Sequence, residues 1–245
     1  MAIVLAAAGP AGRLRLKAEA TRAQGAADTL TVTGTAAVVG KGKAPADSSD
    51  VVIWLDPAVE ATARARVEPP RTRPRMLQKD KQFEPHLLIV PVGAVVDFPN
   101  LDPYFHNVFS LFDGKRFDLG LYEAGSSRSV TFSRAGVSHV FCNIHPEMSA
   151  VVVALDTPYY AVSSRSGAFT IAGVPPGRYM ANAWHERHKL ERANEVPREV
   201  RLSAAASALG VIRFVESTQL TVAHKNKYGQ DTCPRRTGFT SSRQL

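Results

Sequence analysis

The amino-acid sequence predicts an all-β protein. Runs rich in Val, Ile, Thr and Phe recur along the chain, and 17 glycines and 16 prolines interrupt them. Between residues 83 and 155 these runs follow one another at the spacing of short strands joined by Gly and Asp turns, which is typical of a sandwich or barrel. At 245 residues, 44% of them hydrophobic, the chain is long enough for one large domain or two of ordinary size.

The chain begins with an Ala- and Arg-rich segment, residues 1–27. Its first eight residues are apolar but lack the basic region that opens a signal peptide, and Gly9 and Pro10 follow at once. This composition is consistent with the remnant of a signal peptide, in a weak form. We therefore expect a periplasmic or otherwise exported protein.

Two strands and a linker are predicted next. Residues 30–39 and 50–56 are rich in β-branched residues, and a Gly- and Pro-containing turn separates them. Residues 58–82 are basic and contain Pro69, Pro70 and Pro74. Because proline lacks a backbone donor and has a fixed φ, this stretch is predicted to be a linker or an extended crossing segment.

Residues 83–156 are predicted to form a separate β domain. Its candidate strands are 86–90, 94–98, 106–112, 117–122, 129–132, 137–142 and 149–155.

One stretch of this domain has the residue types of a metal site. Cys142 ends a candidate strand, and His145 and Met148 follow at intervals of three residues. His106 lies 36 residues before the cysteine, at the start of another strand. One thiolate, two imidazoles and one thioether are the ligand set of a blue-copper centre. Zinc bound by the cysteine and two histidines is the main alternative metal.

These motifs resemble the cupredoxin family, particularly its amicyanin-like members with the short loop Cys-x-x-His-x-x-Met. The approach to the first histidine, residues 98–102, is also similar. The resemblance implies a Greek-key β-sandwich with one mononuclear type 1 copper ion. It assigns His106, Cys142, His145 and the axial Met148 as ligands, with Asn107 supporting the cysteine sulfur and Pro146 beside the exposed edge.

The remaining strands resemble a second family. Residues 166–185 match the pattern Gly-x-Phe-x-Ile…Pro-x-Gly-x-Tyr of the Ig-like, carboxypeptidase regulatory-like β-sandwich, and residues 32–55 resemble its opening strands. We therefore predict a discontinuous sandwich, 28–57 plus 157–215, into which the copper domain is inserted. Residues 216–245 are predicted to be a basic, poorly ordered tail, in which Cys233 is an incidental thiol.

The resemblance implies an electron carrier rather than an enzyme. A full set of four ligands argues against the open position that a copper oxidase or reductase needs, and no catalytic triad, phosphate loop or dinucleotide motif is visible. A copper-handling protein for sequestration, delivery or resistance is the principal alternative. A structural or carbohydrate-binding sandwich, with Cys142 as core packing, is another. A dicopper centre is disfavoured because the loop contains only one cysteine.

The net charge of +8 bears on the partner. Much of it lies in two stretches without strand pattern, residues 64–81 and 225–243, and no nucleic-acid motif accompanies them. The charge is interpreted either as a solvated surface or as steering toward an acidic redox protein. No apolar run reaches the roughly 18 residues of a membrane span. The sequence leaves the oligomeric state open.

Overall fold

The computed structural model describes residues 29–39, 47–58, 70–111, 114–186, 188–190 and 197–216. Across these ranges the chain forms strands and no helix, so the predicted all-β class is confirmed and no helix there could cross a membrane. The predicted segment 1–27, residues 59–69 of the predicted linker and the tail after residue 216, with Cys233, lie outside the described residues.

Seventeen strands occur in the described ranges. In chain order they are β1 (Leu30–Val39), β2 (Val52–Pro57), β3 (Leu77–Lys79), β4 (Gln82–Glu84), β5 (Leu87–Pro91), β6 (Val95–Pro99), β7 (His106–Ser110), β8 (Phe117–Tyr122), β9 (Ser127–Thr131), β10 (Gly136–Phe141), β11 (Ser149–Leu155), β12 (Tyr160–Val162), β13 (Ala168–Val174), β14 (Gly177–Trp184), β15 (His188–Leu190), β16 (Arg198–Leu202) and β17 (Ala208–Glu216).

Strands from both ends of the described chain share two four-stranded sheets, in the orders β13-β1-β17-β15 and β12-β2-β14-β16. In β13 the buried Phe169 and Ile171 alternate with the exposed Ala168 and Thr170, because only one face of the strand meets the core. One apolar cluster lies between the two sheets and includes Val32, Ile53, Leu55, Ile171 and Phe214. We call this unit the outer sandwich.

The intervening strands form a second unit, the site sandwich. Five strands make its main sheet, in the order β5-β11-β10-β7-β8, and the pairs β3-β4 and β6-β9 complete the unit. Its core contains Met76, Phe98, Phe132, Val140, Cys142 and Met148, among others. Among the predicted ligands, His106 begins β7, Cys142 directly follows β10 and Met148 directly precedes β11. Cys142 and Met148 belong to the core.

The end of the predicted linker pairs with this site sandwich. The Met76 N–H donates to the Asp97 carbonyl at 2.9 Å, and the Asp97 N–H donates to the Pro74 carbonyl at 2.9 Å. Met76 and Gln78 are fully buried. Proline lacks only the backbone donor and still accepts a hydrogen bond, so Pro74 does not prevent pairing at the edge of a sheet.

The strand β11 is buried on both faces and joins the two units. Its sequence Ser-Ala-Val-Val-Val-Ala-Leu lacks polar alternation, as expected for a strand covered on both sides. Ala150, Val152 and Ala154 pack into the core of the site sandwich. The alternate positions face the outer sandwich in a cluster of Val151, Val153 and Leu155 with Val52, Trp54 and Trp184. The two sandwiches therefore pack face to face.

A polar contact lies at the edge of this interface. His86 Nε2 is 2.7 Å from Glu186 Oε2 of the outer sandwich, and His86 Nδ1 is 3.0 Å from the Ser149 carbonyl. Ser149 directly follows the predicted ligand Met148. The interface thus reaches the start of β11, where the ligand loop ends.

We predict that Val153→Ala destabilises the protein by about 1–3 kcal/mol, because it removes two methyl groups from a packed interface. Urea unfolding of the full chain measures this effect. The matched control is Val211→Ala in β17, where the side chain is 50% exposed and the change should stay within about 0.5 kcal/mol. Equal effects of the two substitutions would contradict face-to-face packing.

Candidate metal centre

The antiparallel pairing of β7 and β10 brings the first histidine to the cysteine. These strands are neighbours in the five-stranded sheet, and Phe109 of β7 lies opposite Phe141 of β10. Because the strands are antiparallel, the start of β7 lies beside the end of β10. His106 begins β7 and Cys142 directly follows β10, so both side chains reach the same end of the sheet.

The loop from Cys142 to Met148 is closed by two backbone hydrogen bonds. The Cys142 N–H donates to the Met148 carbonyl at 3.2 Å, and the Met148 N–H donates to the His145 carbonyl at 3.0 Å. The chain therefore turns back on itself within seven residues. This turn returns His145 and Met148 to the point where Cys142 leaves the strand.

Three donor atoms converge at this point. Cys142 Sγ is 3.8 Å from His106 Nδ1 and 3.7 Å from His145 Nδ1, and the two nitrogens are 3.1 Å apart. A single ion about 2.0–2.1 Å from imidazole nitrogen and about 2.3 Å from thiolate sulfur spans separations of this size. Within the described ranges no other group of three or more His, Cys, Asp and Glu side chains has such spacing.

The fourth predicted ligand, Met148, is fully buried in the same apolar cluster as Cys142. His106 and Cys142 are also fully buried, whereas His145 is only half-buried. A metal held here would therefore be shielded from water on most sides. Among the four predicted ligands, His145 is the one that reaches the surface.

The pKa of His145 lies below its ordinary value. Burial of the ring is the largest cause, and the neighbouring His106 and the Lys81 cation lower it further, whereas the Asp102 carboxylate opposes them. A lower pKa keeps the imidazole neutral at neutral pH. The neutral form is the one that binds a metal, because the lone pair must be free.

A buried carboxylate lies behind His106. Asp102 Oδ2 is 2.8 Å from His106 Nε2, and only 5% of the aspartate side chain is exposed. Burial is the largest single influence on the pKa of Asp102 and raises it, but hydrogen bonds from the Lys81 N–H, from His106 and from the Asp80 N–H together lower it below its usual value. The sequence pattern did not predict a role for Asp102. A carboxylate four residues before a ligand histidine was the available signal.

An aromatic side chain covers both histidines. The Tyr104 ring centre is 5.5 Å from that of His106 and 5.9 Å from that of His145. Lys81 Nζ lies over the Tyr104 ring, 5.5 Å from its centre. Tyr104 and Ile144, which precedes His145, are 39% and 45% exposed. Exposed apolar side chains, the Lys81 cation and the exposed Glu147 of the ligand loop thus lie near the exposed ligand.

The two other predicted residues lie next to ligands. Asn107 is buried, and its Nδ2 donates to Asp118 Oδ1 at 2.7 Å. Its Oδ1 has no hydrogen-bond partner within the described part of the chain. A role for this amide at the cysteine sulfur stays a prediction. Pro146 is exposed in the ligand loop beside His145.

Comparison with known proteins gives similar structures only. No family model matches the sequence, and no curated protein matches it. The purple cupredoxin from Nitrosopumilus maritimus is 23% identical, with a TM-score of 0.31, over 34% of this chain and 99% of that chain. A reduced variant of amicyanin is 24% identical, with a TM-score of 0.33, over 42% of this chain and 98% of that chain.

A third similar structure is the copper-containing nitrite reductase from Thermus scotoductus. It is 23% identical, with a TM-score of 0.33, over 48% of this chain. The matching region spans 28% of the reductase chain.

Proposed function

We propose that this protein binds one copper ion through His106, Cys142 and His145, with Met148 as the axial ligand, and that it carries single electrons. The observation that supports this proposal is the convergence of one thiolate and two imidazole Nδ1 atoms within 4.8 Å of one another. Copper bound there would supply the chemistry by alternating between Cu(II) and Cu(I).

The donor types favour copper over zinc. Thiolate and thioether sulfurs are soft ligands, and a trigonal set of two imidazoles and one thiolate with a weak axial thioether is characteristic of blue-copper sites. Both sulfurs here belong to fully buried residues. The thioether of Met148 contributes nothing to a tetrahedral zinc site of the usual ligand types, which are Cys, His, Asp and Glu.

Restraint of the ligands favours electron transfer over metal delivery. His106 is held by Asp102 from behind, and backbone hydrogen bonds close the loop that contains Cys142 and His145. Ligands that cannot move retain one geometry in both oxidation states, so little reorganisation accompanies each transfer. A delivery protein needs the opposite, which is a ligand that dissociates readily.

The half-buried edge of His145 is the proposed site of electron entry and exit. Tyr104 and Ile144 surround it with exposed apolar surface, and Lys81 adds positive charge. Together with the net charge of +8, this favours an acidic redox partner. Export of the protein and the regulatory-like identity of the outer sandwich are proposals that rest on the sequence.

We predict an intense thiolate-to-copper absorption band when the purified full chain is titrated with Cu(II), complete at one equivalent and accompanied by narrow copper hyperfine splitting in EPR. Cys142→Ser should abolish the band, because it removes the only thiolate at the site. Cys233→Ser is the matched control and should retain it. A coloured Cys142→Ser variant would refute the assignment of the ligands.

The same sample separates electron transfer from copper handling. A carrier should recover the full band through repeated cycles of reduction and reoxidation in the presence of a Cu(I) chelator. Loss of copper to the chelator in the first cycle would indicate sequestration or delivery instead.

We predict that Met148→Leu retains copper and raises its reduction potential, because loss of the axial sulfur weakens binding of Cu(II) more than binding of Cu(I). Each tenfold change in that preference corresponds to about 59 mV for a one-electron couple. A redox titration followed by absorption measures it. Met180→Leu, at a 39% exposed position in β14, is the control. An unchanged potential in Met148→Leu would show that another group is axial.

A further inference from the structure

We propose that Asp102 is a positioning residue for the metal centre: its carboxylate, gripped by the turn at Asp80 and Lys81, fixes the proton of His106 on Nε2 and directs Nδ1 toward Cys142. This inference rests on the proposed metal site. Neither Asp102 nor the backbone N–H groups that hold it belong to the predicted ligand pattern.

The first step is the proton on His106. Its Nε2 lies 2.8 Å from Asp102 Oδ2, and both side chains are withdrawn from solvent. An ionised carboxylate only accepts hydrogen bonds, so the imidazole must donate from Nε2. In the neutral ring the other nitrogen then has no proton. Nδ1, which faces Cys142 Sγ and His145, therefore has a free lone pair with which it can bind a metal.

The second step is the restraint on the carboxylate itself. The Asp80 N–H donates to Asp102 Oδ1 at 2.7 Å, and the Lys81 N–H donates to Asp102 Oδ2 at 3.0 Å. Asp80 and Lys81 have φ values of 53° and 58°, in the left-handed region. Successive residues in such turns can direct neighbouring N–H groups at one anion. The β3–β4 hairpin therefore serves as a cradle for the carboxylate.

The loop between the cradle and the ligand is also held. The Asp102 N–H donates to Asn100 Oδ1 at 3.1 Å, and Asn100 Nδ2 donates to the Tyr104 carbonyl at 2.8 Å. Asn100 is fully buried. These bonds restrain the backbone of the loop that contains Asp102, while the bonds from the Asp80 and Lys81 N–H groups oppose rotation of the carboxylate away from His106.

The charge of Asp102 also affects the reduction potential of a bound copper ion. A carboxylate that accepts from a ligand imidazole orients the ring and raises its basicity. The added negative charge stabilises Cu(II) more than Cu(I), because the oxidised ion has the larger positive charge. Asp102 thus acts through His106 in two ways: it sets the tautomer of the ring and it lowers the reduction potential.

The decisive substitution is Asp102→Asn, which keeps the size of the side chain, removes its charge and replaces one of the two accepting oxygens with a donor. We expect Cu(II) affinity to fall about 10–100-fold. Cu(I) affinity should fall less, so the reduction potential should rise, by about 59 mV if the two losses differ tenfold. Competition with chelators for Cu(II) and Cu(I), and a redox titration of the loaded full chain, measure these quantities.

The matched control is Asp97→Asn in β6. This carboxylate belongs to the same sandwich. It pairs with Arg73 and Ser129, neither of which is a predicted ligand. Its loss should leave both affinities and the potential unchanged. The inference is overturned if Asp102→Asn behaves like Asp97→Asn, or if both affinities fall equally and the potential stays constant, since a merely structural role predicts that result.

A second measurement needs no variant and no metal. Long-range proton–nitrogen NMR of the copper-free full chain at neutral pH reports the tautomer of each histidine. We expect His106 to have its proton on Nε2, and a proton on Nδ1 would overturn the inference. If the wild-type chain bound no copper, the proposed function would fail, whereas this tautomer would still test the role of Asp102.

Discussion

The antiparallel pairing of β7 with β10 is the contact on which the candidate site depends. It sets the beginning of one strand beside the end of the other, so that His106 and Cys142 meet although 36 residues separate them. The short loop after Cys142 then needs only two backbone hydrogen bonds to return His145 and Met148 to the same point. The register of the sheet and a tight turn thus bring the candidate ligands together without a metal.

The strand that follows the ligand loop, β11, is held in place by packing on both of its faces. Because β11 is buried on both faces, the strand that leaves the ligand loop is fixed by two apolar clusters, one in each sandwich. Its first residue also accepts a contact from His86, whose other nitrogen meets Glu186 of the outer sandwich. The outer sandwich therefore supports the point where the ligand loop joins β11. This gives the outer sandwich a structural role at the site.

Much of the site could be predicted from the sequence because its information is local. Cys142, His145 and Met148 lie within seven residues, and His106 begins a recognisable strand. In the structure the donor atoms of His106, Cys142 and His145 lie within 4.8 Å of one another, as expected for three ligands of one metal. The all-β class was equally accessible, since β-branched runs and turn residues reveal it without tertiary information.

What could not be predicted depends on contacts between distant segments. Asp102 matters because a hairpin at residues 77–84 meets it, and the prolines before that hairpin made the stretch resemble a linker. The strand β11 was predicted as a strand only, because the sequence does not show which surface covers its second face. Tyr104 likewise gains its position over both histidines only from the fold of its loop.

The most direct test of the central claim is copper-edge X-ray absorption of the full chain loaded with one equivalent of copper. We predict a first shell of one short sulfur and two imidazole nitrogens, nearly unchanged between the oxidised and reduced samples, because the ligands are held before the metal arrives. A first shell of oxygen and nitrogen without sulfur, or one that changes its ligand number on reduction, would contradict a preorganised thiolate site and with it the assignment of electron transfer.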